Sequence, residues 1–132
     1  MAFLRQVLRW QSILWALFGI ALVTAPSLLV EGLFDQGPVT EDAWLRALGV
    51  ASIVLAAQMV LVARRLEDLW WWSWSFVLLE AGTAVVFLLT ALSGVPEGAA
   101  TWPWWLLAAA NLAVGALEVT GIARAGTERS PV

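Results

Sequence analysis

Residues 70–92, WWWSWSFVLLEAGTAVVFLLTAL, decide the fold. The run carries one charge, Glu80, and is long enough at about 1.5 Å per residue to cross about 30 Å of hydrocarbon as a helix. It shows no period-two alternation, so a barrel strand is excluded, and a helix is the remaining way to satisfy every backbone group in lipid. Four tryptophans, Trp70, Trp71, Trp72 and Trp74, crowd its start. Indole rings collect at the membrane–water interface, so they read as anchors at the depth where the bilayer begins. About 100° apart, Trp70, Trp71 and Trp72 ring the helix, while Trp71 and Trp74 point away from Glu80.

Three more runs of that kind lie elsewhere, giving spans at about 10–30, 44–63, 70–92 and 102–123, with a polar tail 124–132. Trp44 and the group Trp102, Trp104 and Trp105 form the matching belt at the opposite interface. The connections are short and carry turn residues, Asp35-Gln36-Gly37-Pro38 and Ser93-Gly94-Val95-Pro96. Pro26 bends or ends the first helix. That first apolar stretch exceeds the about 7–15 residues of a signal-peptide core, so an uncleaved helix is expected. The fold class is therefore all-α: an integral membrane four-helix antiparallel up-and-down bundle in one domain, with lipid as its solvent.

Composition agrees. Apolar residues make up 61% and charged residues 13% of 132 positions, too apolar for one small soluble core. Cys, His, Tyr and Lys are absent, which removes thiolate and imidazole metal sites, disulfides and the commonest bases and nucleophiles. No phosphate loop, nucleophile elbow or basic nucleic-acid face is present. No enzyme activity, no metal and no cofactor are expected.

Charge sets the orientation. Arg5 and Arg9 precede the first span, Arg64 and Arg65 follow the second, and Arg124 and Arg129 follow the fourth. The opposite connections carry Glu31, Asp35, Glu41, Asp42 and Glu97 without a base. Basic loops stay cytoplasmic, so a multi-pass protein of the bacterial cytoplasmic membrane with both termini inside is expected, and the bias argues against dual insertion. The seventh arginine, Arg46, reads as an interfacial anchor paired with Glu31, Glu41 or Asp42.

Acids and amides within the spans are the candidate polar site: Glu80, Asn111, Glu118 and Gln58. A carboxylate at mid-bilayer costs at least about 2.5–3.5 kcal/mol, so it is expected to face inward and find a partner. Glu80 shares a face with Ser73, Phe76, Ala84 and Phe87. Asn111 falls at about the same depth on the oppositely directed fourth span, which makes a Glu80–Asn111 hydrogen bond the expected pairing. Gln11, Ser12, Gln58 and Glu118 form a second layer nearer the cytoplasm. Glu118 shares a stripe with Trp104, Leu107, Asn111 and Gly115, and Arg9, Arg64 or Arg124 is its expected partner by snorkelling. These groups act either as polar glue between helices or as a protonatable site along a pathway.

Arg46-x-x-Gly49 opening the second span and the basic pair Arg64-Arg65 closing it give the chain a layout that resembles the DoxX-like four-helix bacterial membrane proteins. The resemblance implies the fold and transfers no functional residue. Small multidrug exporters are similar in size and span count, but their essential carboxylate lies in the first helix, and here no acid precedes Glu31. The leading functional expectation is a non-enzymatic accessory or scaffold subunit, a homo-oligomer or part of a larger membrane complex, with the lipid bilayer as its medium and no nucleic acid. A proton-linked carrier or pore using Glu80, with Asn111 orienting it, is one alternative. A lipid- or quinone-binding module using an inter-helix cleft is the other.

Overall fold

The computed structural model describes residues 1–128; Arg129, counted above with the basic tail, lies outside them. Helix α1 spans Ala2–Thr24, α2 Ala43–Arg64, a short α3 Leu66–Leu69, α4 Ser73–Ser93 and α5 Trp102–Glu128. A 3-10 turn, Trp70–Trp72, joins α3 to α4, so residues 66–93 wind as one span. Four of these segments are long and apolar enough to cross a membrane.

The boundaries differ from the expected ones for physical reasons. Helix α1 begins at Ala2 and not at Trp10, because arginine is a good helix former and its long stem lets the backbone wind on where the apolar run is interrupted. It ends at Thr24 and not near Val30: the residue before a proline is pushed out of the helical region, and Ala25 sits at φ −145°, ψ 62° before Pro26. The chain then makes a π-helical turn over Leu28–Leu33. The second connection shrinks to Arg65, because Leu66 is fully buried and draws the next turn into the core. Helix α5 continues through residues 124–128, held there by the fully buried Ala125.

The helices pack chiefly as two pairs, α1 with α2 and α4 with α5, while α1 also touches α5. The members of each pair run in opposite directions. Arg5 donates to the Ala63 carbonyl (3.1 Å) near the start of α1, and Arg46 donates to the Val23 carbonyl near its end. Between these points the backbones meet at two glycines: a Cβ on Gly19 would stand 2.7 Å from the Gly49 carbonyl oxygen, and one on Gly49 the same distance from that of Gly19. On the other pair, the Phe87 and Trp104 rings lie 5.8 Å apart, and a Cβ on Gly115 would be 3.5 Å from that of Glu80.

The two hairpins are clasped at both ends. At the arginine-bearing end, Leu4 and Leu8 of α1, Met59 of α2, Leu66, Phe76 of α4 and Ile122 of α5 form one buried core. At the loop end, the Ala100 N–H donates to the Asp35 carbonyl and Gln36 Nε2 to that of Ala100, each at 2.9 Å, while Phe34 meets Trp102 edge-on. Between the clasps α2 and α4 scarcely touch. The outer faces carry exposed apolar side chains such as Val54, Leu89 and Leu112.

Candidate polar site and inter-hairpin chamber

Glu80 is 2% exposed on α4, and its Oε1 accepts two hydrogen bonds from α1: Gln11 Nε2 at 2.7 Å and Trp15 Nε1 at 2.9 Å. The donors sit four residues apart, one turn along the same face. The expected Glu80–Asn111 bond is not formed. Asn111 instead donates to the Leu107 carbonyl of its own helix at 2.7 Å, the local back-bond that short polar side chains favour. Gln11, placed nearer the end of the first span from its apolar run, comes level with Glu80 once α1 starts at Ala2, about 14 Å earlier along the helix.

Glu118 is fully buried, and neither carboxyl oxygen has a hydrogen-bond partner among the described residues. None of the three expected arginines reaches it. Arg124 lies over the Phe3 ring at 4.8 Å, and Arg9 and Arg64 are exposed at the surface. A stem that snorkels toward water leaves a buried acid behind. Glu118 instead stands beside Gln11 and within electrostatic reach of Glu80, and the Gln11 carbonyl oxygen is also unpartnered. Gln58 is exposed on α2 and belongs to no part of this cluster. Arg46 pairs with Asp42 at 2.8 Å, one of its three expected partners.

The tryptophans divide. Trp44, Trp71, Trp72, Trp74, Trp102 and Trp105 are exposed, Trp44 at 79%. Trp71 and Trp72 stack with centroids 4.9 Å apart, and Trp70 packs against the buried core. Trp104 opens α5 beside Trp102 and Trp105, on the stripe it was expected to share with Asn111 and Glu118. It turns inward against Phe87, with its Nε1 buried and unpartnered, because its position on α5 faces the gap between the hairpins. Trp15 belongs to the site although the sequence reading did not single it out. The available signal was its spacing of one turn from Gln11.

The gap holds two adjoining cavities. The larger, about 640 Å³, lies between Leu48 and Leu55 of α2 and Leu78, Gly82 and Val86 of α4, with Trp104 on its wall. The smaller, about 420 Å³, lies between α1 and the α4–α5 pair and is lined by Gln11, Trp15, Glu80 and Asn111. Trp15, Phe18, Phe34, Thr83 and Phe87 border both, so the two are sides of one chamber. Among the described residues, no group of three or more acids could hold a metal ion. In comparison with known protein families, curated proteins and solved structures, the chain matches none.

Proposed function

We propose that the chain is a multi-pass protein of the bacterial cytoplasmic membrane, both termini inside, and that it binds an apolar molecule dissolved in the bilayer without catalysing a reaction on it. The chamber carries this reading. Small-molecule sites are concave, mostly apolar and about 300–1,000 Å³, with a few convergent polar groups. The two cavities, at about 640 and 420 Å³, fall in that range and share an aromatic border with one buried acid in the smaller. A scaffold needs no internal space, and the close-packed core at the arginine-bearing end stops the chamber short of a through-pore. Five of the six arginines among the described residues lie at that end, which supports its cytoplasmic placement. The side between α2 and α4, where the helices scarcely touch, is the way in from lipid.

Native mass spectrometry of the protein released from its own membranes tests this. The wild type is expected to carry a lipophilic small molecule. Gly82→Phe should lose it while melting at the same temperature, because a Cβ on Gly82 meets nothing within 4 Å and the ring enters the chamber. An empty wild type, or a Gly82→Phe protein with unchanged occupancy, overturns the reading.

A further inference from the structure

We propose that the chamber selects an amphiphilic organic cation, an amine or quaternary ammonium on an apolar body, and seats its charged head against Glu80; this rests on the chamber being a ligand site. The argument is an inventory of donors and acceptors. The nitrogen donors around Glu80 each make a hydrogen bond within the protein, Gln11 Nε2 and Trp15 Nε1 to Glu80 itself and Asn111 Nδ2 to Leu107, with a second N–H left on each amide. Several acceptors there have no donor at all. Glu80 receives both donors on Oε1, which leaves Oε2 for the smaller cavity that Glu80 lines. Asn111 lines the same cavity, and the Gln11 side-chain carbonyl oxygen is buried without a donor. These free lone pairs, one of them on a buried carboxyl, favour a positively charged head. Trp104 Nε1, a buried nitrogen donor with no partner, belongs to the larger cavity.

Charge points the same way. Two buried acids, Glu80 and the unpartnered Glu118, lie within electrostatic reach of each other, and no arginine lines either cavity. Buried charge is ordinarily paired, and here the protein supplies only neutral donors. The rings of Trp15, Phe18, Phe34 and Phe87 line the smaller cavity with Glu80. Aromatic faces attract cations, most strongly where water is excluded, and they give an apolar body its surface.

Equilibrium binding to the full chain in lipid nanodiscs, with tetraphenylphosphonium and the like-sized anion tetraphenylborate as probes, decides the matter. The cation is expected to bind saturably and at least tenfold more tightly than the anion. Glu80→Gln should weaken the cation at least tenfold and leave the anion no weaker. Should Glu80→Gln not fold, Glu118→Gln removes the neighbouring acid from outside the lining, and a severalfold loss of cation affinity is expected. The paired Gly82→Phe, Ala110→Phe variant fills both sides of the chamber and should abolish binding. If both ions bind alike and that paired variant blocks both, the chamber stands and its preference for cations is overturned. If neither binds, or the paired variant blocks neither, the chamber itself is not a site for them and both readings fall. A Glu80→Gln or Glu118→Gln protein with undiminished cation affinity also overturns the preference.

Discussion

Glu80 shows what a single residue in an apolar run can and cannot reveal. Its burial and need for partners follow from the cost of leaving a carboxyl unpaired in a low-dielectric interior. Its partners do not follow. Asn111 was the natural candidate by depth, but an amide on a helix has a carbonyl four residues back within reach, and Asn111 takes it. Gln11 is longer and faces across the interface, so it bridges to Glu80. Trp15 was hidden because an indole in a membrane span reads as apolar, although its N–H needs an acceptor when buried. Trp15→Phe removes that donor while keeping an aromatic ring. It should lower unfolding stability by about 0.5–2 kcal/mol, the range for interhelical hydrogen bonds in membranes. Steric-trapping or denaturant titration in bicelles would show it, and an unchanged midpoint would mean the Trp15–Glu80 bond is not formed in the membrane.

At the scale of elements, the number of helices was legible because each apolar run is long and uninterrupted. Their ends were legible only where a residue forces them, as Pro26 does at Ala25. Elsewhere hydropathy marks where lipid ends, and the backbone winds on past that point at Ala2, Leu66 and Glu128. The pairing of α1 with α2 turns on Gly19 and Gly49. Gly49 stood out beside Arg46 in the sequence, but its counterpart on the first helix could be found only from the folded contact. In lipid no hydrophobic force draws helices together, so close backbone approach at small residues matters more than in water. Gly49→Ala places a methyl 2.7 Å from a backbone oxygen that cannot swing away. The hairpin must part, at a cost of about 1–3 kcal/mol typical of overpacking. A lowered thermal midpoint is the expected result, and Gly126→Ala, where a Cβ meets nothing within 4 Å, is the control expected to leave it unchanged.

For the whole molecule, the gap between hairpins could not be read in advance. A side chain lining the chamber and one facing outward are both leucine or valine, as Leu48 and Val54 of α2 illustrate, so composition does not separate them. The route of access is a property at this scale. If ligand enters sideways between α2 and α4, sealing the loop end should not matter. The protein has no native cysteine, so an Asp35→Cys, Ala100→Cys pair, placed where the loops share a backbone hydrogen bond, can be oxidised without competing thiols. Oxidation should leave the rate of probe exchange within about twofold, as 1.4 kcal/mol in a barrier is a factor of about ten. A rate that collapses on oxidation and recovers on reduction would place the entrance at the loops instead.

The joint at Arg65 bears on how such a space can change size. The hairpins are joined through one residue between α2 and α3, and there the close-packed core also binds them. At the far end they meet through two hydrogen bonds and an edge-on ring pair. This is the construction of a pair of tweezers. Any widening pivots at the stiff, arginine-bearing end, and the arms travel farthest at the tips. A bulky guest between α2 and α4 thus strains the tip contacts and the Gln11 and Trp15 bonds to Glu80 that cross between the hairpins, and spares the grip at the pivot.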